Sequence, residues 1–430
     1  MNKLFRIFLL AFLSLPMAAC MVPSAKQAKT SVPATATSTP VASLSLPDTP
    51  SVLAEAPQTA EKPEPEPPSQ APQTNTAKKN KHIVRVLLAD NQKSAHIKHS
   101  GRVYIYTQDL SKKYKISSEG TISVSVRKTG QVQVGSLLAE QPVILEPDND
   151  TLFTWDNNLY AGKIFIVPAN YTFLIVEHAD LENYLYGVLP YEMSYSWPLE
   201  ALKAQAVAAR TYTMKTIENV KNKYFDLYSD VRSQMYKGGG KQYDSVRKAV
   251  DGTRSQVLTY NGKLFYTYYH GNCGGGTDDV RSWTPTATSI PPLSGASCSY
   301  DSHSKSHSWS MDISAAKVME YSKKVGLNGT LKSVKVAAKT RTGRATQLTI
   351  QTTKGRKNVS CPKFRLATGL RSCKITHTSM KAQKVHFEGK GYGHGIGMCQ
   401  DGANGMAKAG KTYEQILKNY YPSAKITPLK

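Results

Sequence analysis

An α+β fold follows from two features of this 430-residue sequence: period-two alternation over residues 82–177, and an alanine-rich helical pattern that begins at Pro198. The alternating runs are "IVRVLL", "RVYIYT", "TISVSVR", "QVQVG", "KIFIVP" and "TFLIVE". Their β-branched and aromatic residues predict a strand-rich first part with mostly antiparallel pairing. A mixed second part covers residues 178–430. Its helix starts at Pro198, where a missing N–H costs nothing, and Leu199, Leu202, Ala206 and Ala209 follow at helical spacing. After it come "QMYKGGG", a basic helical segment near residues 245–250, and strands "QVLTYNG" and "KLFYTYYHGNCGGG". A later strand-rich stretch contains "LKSVKVAAKT" and "ATQLTIQTT", and two helical patterns close the chain.

Upstream of this fold, Lys3 and Arg6 precede an apolar run from Ile7 to Leu15. That run is shorter than the ~20 residues of a membrane span and reads as an export signal over residues 1–20. It ends in "LPMAAC", which looks like a lipoprotein signal with Cys20 as the lipidated residue, although Met17 stands where an aliphatic residue is usual. A plain signal peptide and an uncleaved anchor fit the same run. Residues 21–81 are rich in Pro, Thr, Ser, Ala and Glu, and no Phe, Tyr or Trp occurs between Phe12 and Tyr104. Such a segment cannot bury enough apolar surface to order itself, so it predicts a disordered tether. An exported, membrane-anchored chain on a tether suits an envelope polymer as its partner. The net charge of +24 would suggest nucleic acid in a cytosolic protein. Export and the lack of a recognition motif exclude that partner and favour anionic envelope polymers or lipids.

With Cys20 assigned to the expected lipid anchor, Cys273, Cys298, Cys361, Cys373 and Cys399 remain. Cys361 and Cys373, close in sequence, form the simplest pair, and an odd count leaves one thiol or metal ligand over. His270, Cys273 and Cys298 offer N and S donors of the kind zinc takes tetrahedrally. A Cys273–Cys298 disulfide explains the same cysteines, and both readings stay open. In "GKGYGHGIG", glycine alternates from Gly389 to Gly397. On a strand this leaves one bare face, open to a packed neighbour or a sugar ring. Glu192 stands alone in the expected strand-to-helix connection, as a surface charge, a cap or a reagent facing a cleft.

Four blocks settle the comparison with known families. "LENYLYGVLPYEMSYSWPLEALKAQAVAARTY", "QMYKGG", "YYHGNCGG" and "GKGYGHGIGMCQDGANGMAKAG" with "ILKNYYPSAKI" resemble, in order, those of the stage II sporulation protein D and amidase-enhancer family (SpoIID/LytB). The resemblance runs from about Ile83 to Ile426. It implies a lytic transglycosylase that cuts peptidoglycan glycan strands at N-acetylmuramic acid, preferably where stem peptides are gone, with a glycan-binding cleft in the second part. The catalytic residue it implies is Glu192. Lys203 and Arg210 would support the site or pair with acids, and Tyr236, His270 and His394 would line the glycan groove. No cofactor is required for the chemistry, and a zinc in the His270, Cys273 and Cys298 region would be structural. The family's second name implies a cell-wall amidase as partner.

The chemistry agrees with one carboxyl. Hydrolytic glycosidases usually use two, whereas a transglycosylase can use Glu192 first as acid and then as base. Glu192 must then be protonated at rest, which calls for partial burial, with Tyr191, Tyr195 and Trp197 as candidate walls. Ser194 replaces a usual proline, and Cys399 and Asp401 replace a usual serine and aromatic. Rival functions are a non-catalytic glycan-binding enhancer, a hydrolase using Asp278, Asp279 or Asp401 as second carboxylate, and a structural envelope protein.

Overall fold

The computed structural model describes residues 82–430. The expected export signal, the Cys20 anchor and the tether lie outside the described residues. The alternation of residues 82–177 produces two sheets. A seven-stranded sheet has the order Leu227–Tyr228, Ile83–Gln92, Thr172–Asp180, Lys163–Ala169, Val143–Pro147, Val103–Thr107, Lys113–Ile116. Only its edge strand Leu227–Tyr228 pairs in parallel. A six-stranded antiparallel sheet has the order Asn158–Tyr160, Phe153–Trp155, Ser94–His99, Gly120–Val126, Val132–Val134, Leu137–Ala139. Val86, Ile97, Val124, Leu145, Phe153 and Phe173, drawn from both sheets, belong to one apolar core, whose burial is the main stabilising term.

Seven helices occur among the described residues: α1 (Leu181–Glu192), α2 (Leu199–Asn219), α3 (Asp244–Gly252), α4 (Ala315–Lys324), α5 (Cys361–Thr368), α6 (Gln400–Lys408) and α7 (Tyr413–Tyr420). α2 follows Pro198 as expected. From Ala201 to Thr213 every residue except Lys203 is buried, so α2 is the central rod on which α1, α3, α6 and α7 pack. Its alanines permit that crowding.

α1 corrects the reading of the Glu192 segment as a strand-to-helix connection. The strand Thr172–Asp180 runs directly into α1, and Asp180 caps it by accepting from the N–H groups of Glu182 and Asn183. Glu192 is the last residue of this helix. Apolar residues lie all round α1 and Pro190 sits in its last turn, so the apolar pattern hides it. Asp180 is the one local signal that marks its start.

A further unit, residues 308–390, has its own apolar core. One three-stranded antiparallel sheet has the order Ser308–Ser314, Lys384–Lys390, Ile375–Lys381; another has the order Leu331–Lys339, Ala345–Thr352, Gly355–Ser360. α4 and α5 complete it, and the Cys361–Cys373 disulfide lies within it. The expected single part 178–430 therefore holds two cores.

The glycine run also departs from expectation. Gly391, Gly393, Gly395 and Gly397 have φ of 76°, 100°, 84° and 67°. These left-handed values break the strand, and single bridges to Asn272, Ser372 and Asp278 hold the ribbon instead. Glycine adopts this conformation at no steric cost. At Gly395 a Cβ would also lie 2.2 Å from the Arg344 guanidinium carbon. Among the described residues no helix is long and apolar enough to cross a membrane.

Candidate active site

Glu192 is 3% exposed, and its Oε1 accepts the Met235 N–H at 3.1 Å. Burial pushes its carboxyl up to about 8, against the opposing pull of that N–H and of the Gln400 and Tyr269 side chains. Its place at the C-terminal, negative end of α1 works in the same direction as burial. The result is a carboxylic acid that keeps its proton at neutral pH.

A buried polar chain stands behind this acid. Gln234 Nε2 donates to the Tyr269 hydroxyl at 2.9 Å. Gln234 Oε1 accepts from Thr213 at 2.8 Å and from Tyr184 at 3.3 Å. With its oxygen already accepting from Gln234, Tyr269 has its own proton to offer Glu192. Gln234, Tyr269 and Gln400 lie inside or beside the quoted sequence blocks, yet nothing in their spacing marks them as neighbours of Glu192. Of the expected walls, Tyr195 stacks on Tyr243 at 4.2 Å, Tyr191 lies under Lys237 Nζ at 5.2 Å, and Trp197 packs against the main core.

Lys203 and Arg210 pair with acids, one of their two expected roles, and Tyr236, expected in the glycan groove, is held inside the scaffold. Lys203 Nζ pairs with Glu200 at 2.8 Å and lies over the Tyr413 ring at 5.6 Å. Arg210 is fully buried; it grips both Glu182 oxygens, at 3.1 and 2.7 Å, and donates to the carbonyls of Gln256 and Val250. It ties α1 and α2 to the end of α3 and the following strand. Tyr236 is 3% exposed and donates to Glu177 Oε2 at 2.7 Å. Burial pushes Glu177 up to about 7.

His270 and His394 come together, with ring centres 5.2 Å apart, and Trp283 lies 5.5 Å from His394. His394 Nδ1 accepts the Ile396 N–H at 3.0 Å, and His270 Nδ1 lies 3.1 Å from the Ile396 carbonyl. Burial depresses both imidazoles, His394 to about 3, so both are neutral. The Nε2 atoms of both and the Gln205 amide are buried with no hydrogen-bond partner among the described residues. Buried polar atoms without a partner are uncommon in folded proteins, and three motif residues carry them here.

The candidate second carboxylates are engaged elsewhere. Asp278 accepts from Arg344 at 2.9 Å and Thr342 at 2.6 Å. Asp279 caps the turn Val280–Ser282 and pairs with Arg281. Asp401 accepts from Asn272 at 3.0 Å.

The cysteine readings need revision. Cys273 and Cys298 form no disulfide; both are free, as is Cys399. Parallel pairing of Tyr269–His270 with Met398–Cys399 brings Cys399 beside Cys273. Donor atoms of Cys273, Cys298, Cys399 and Asp301 all lie within 4.8 Å of one another, and all four residues are buried. His270 is not among these donors, and its Nδ1 lies at the Ile396 carbonyl. Cys273 Sγ lies 3.1 Å from Asp301 Oδ2. The neighbouring thiols of Cys273 and Cys399 hold the Cys298 thiol well below its ordinary value. Three sulfurs and one carboxylate around one point are a donor set that would fit a tetrahedral zinc; of the expected His270, Cys273 and Cys298, the two cysteines belong to it.

Residues 169–260 match the stage II sporulation protein (SpoIID) family, and residues 296–397 match a domain of unknown function (DUF8618). The chain is 33% identical over 348 residues to an uncharacterized protein of Brachyspira hyodysenteriae, covering 80% of this chain and 92% of that one. It is 30% identical over 272 residues to stage II sporulation protein D of Bacillus subtilis, covering 59% of this chain and 76% of that one. It is 32% identical over 293 residues to the amidase enhancer of Bacillus subtilis, covering 56% of this chain but only 40% of that longer protein. The SpoIID match spans α1, Glu192 and α2, and the relative from Bacillus subtilis is covered over three quarters of its length, so this chain belongs to the stage II sporulation protein D family.

Proposed function

We propose that this protein cleaves peptidoglycan glycan strands as a lytic transglycosylase, exported and held at the membrane through Cys20, with Glu192 as its acid–base residue. The observation that carries the proposal is the buried carboxyl at the end of α1, where burial raises its proton affinity, without a free second carboxylate among Asp278, Asp279 and Asp401. Glu192 would give its proton to the glycosidic oxygen as the bond at the muramic acid C1 breaks. The C6 hydroxyl then attacks C1, and the new carboxylate takes the hydroxyl proton, closing a 1,6-anhydro ring without water. The Gln234–Tyr269 chain steadies the charged carboxylate between the two steps. The neutral His270 and His394 offer Nε2 atoms to sugar hydroxyls, and Trp283 offers an apolar ring face.

A zinc held by Cys273, Cys298, Cys399 and Asp301 would cross-link the loop after the strand Tyr269–His270, the Asp301 loop and the start of α6. It would supply rigidity and leave the proton transfers to Glu192. The name of the amidase enhancer adds a cell-wall amidase as a candidate partner.

The test is mass spectrometry of products from peptide-free glycan strands treated with the protein and with Glu192→Gln. Anhydro-muramic ends that fall by roughly 10²–10⁴-fold in the variant are the expected result. Reducing ends would mean hydrolysis with another carboxylate. No cleavage by either protein, with stimulation of an amidase by both, would replace the proposal with a glycan-binding enhancer.

A further inference from the structure

The charge of this protein is concentrated in one place. Residues 308–390 carry 18 lysines and arginines against 3 acids, a net +15 of the whole chain's +24. The extreme is residues 331–360, which hold 8 basic residues and no acid. They form the three-stranded sheet Leu331–Lys339, Ala345–Thr352, Gly355–Ser360. Leu348, Ile350 and Val359 turn to the core. The opposite face carries two cross-strand rows, Lys335–Thr349–Asn358 and Ser333–Gln351–Arg356. Lys332, Lys339, Arg341 and Lys354 are exposed around it.

None of Lys332, Lys335, Lys339, Arg341, Lys354 and Arg356 has an acidic partner among the described residues. Arg344, on the same hairpin, is different: it is buried and paired with Asp278. A sheet face of like charges repels itself, and a counter-charge from outside removes that repulsion. Hydroxyls and amides stand between the cations, so the face offers hydrogen bonds as well as charge. It has no exposed large apolar side chain to insert into a bilayer; those of this unit, Leu366 and Met380, lie on other elements. Through Thr342 and Arg344, the hairpin is fastened to Asp278 and so to the glycine ribbon of the candidate site.

We propose that this sheet is a binding face for a linear, hydroxyl-rich polyanion, a polymer of sugar or polyol units that repeats a phosphate or carboxylate. Bound there, the polymer holds the site against an anionic matrix. This does not depend on whether Glu192 cleaves glycan.

Binding of the full chain to long-chain inorganic polyphosphate, polygalacturonate, neutral dextran and phosphatidylglycerol vesicles, measured by titration at low and high salt, tests it. The expected result is binding to polyphosphate, polygalacturonate or both, weakened by salt and absent with dextran. The two polymers separate phosphate from carboxylate recognition. The triple variant Lys335→Gln, Arg341→Gln, Arg356→Gln should weaken that binding at least tenfold. A control with the same charge change on exposed lysines of the first part, Lys98→Gln, Lys115→Gln, Lys128→Gln, should change it less than twofold. Binding to neither polymer, equal weakening by both triple variants, or binding confined to vesicles would overturn the proposal.

Discussion

The strand-rich part and the unit at residues 308–390 are both built largely from antiparallel sheets, but they spend their polar residues differently. Residues 82–180 carry ten basic and ten acidic side chains, while residues 308–390 carry eighteen and three. The first part and its helices take charge and hydrogen-bonding groups inside: Glu177, Glu182, Glu192, Arg210 and Gln234 are all buried. The later unit keeps an apolar core beside its disulfide and turns its cations outward. Chemistry that needs a shifted proton affinity requires burial, whereas recognition of a hydrated polymer requires exposure. On the two proposals above, these opposite demands fall to separate regions.

The largest expected effect tests how far the main core depends on its buried ions. Glu182→Ala leaves the Arg210 guanidinium uncompensated in the core, which should lower stability by about 3–5 kcal/mol in urea denaturation. Next, Cys361→Ala with Cys373→Ala opens a short loop in the other region and should cost about 3 kcal/mol. Hydrogen exchange should show that loss in residues 308–390 and leave α2 protected. An equal loss in both regions would mean that the two cores unfold as one.

The smallest effect concerns pH. Glu192 and Glu177 are raised to about 8 and about 7 in the fold from an ordinary 4.5. The folded state therefore holds protons that the unfolded state has released, so these groups lower stability as pH rises from 4.5 through those values. His270 and His394 act oppositely, costing stability as pH falls below 6.5. Between pH 6.5 and 8 the carboxyls alone should reduce stability by about 2 kcal/mol. Glu192→Gln should flatten that slope; an unchanged slope would place its pKa near that of a free glutamate. Cleavage should fall over the same range as Glu192 loses the proton it must donate.

Much of the strand-rich part was legible because period two is a local property, and the start of α2 was legible because Pro198 and the alanine stripe are local as well. α1 was not, since a helix buried on all sides has no polar face to give it a period. The glycine alternation pointed to a strand, but four left-handed residues made a ribbon, and a string of glycines does not say which half of the backbone map it uses. Glu192 was legible as a candidate reagent only through a resemblance, because one acid before a helix has no chemistry until its surroundings are known.

Composition and pattern by themselves determined the α+β class, the neighbouring Cys361 and Cys373 pair, and the excess of positive charge. Only the tertiary structure decided that Cys399 and Asp301 join Cys273 and Cys298, that Arg210 and Tyr236 hold the scaffold, and that Gln234 and Tyr269 stand behind Glu192. These are contacts between residues tens to more than a hundred positions apart. Their energies come from burial and from the partners met there, and a linear pattern carries neither.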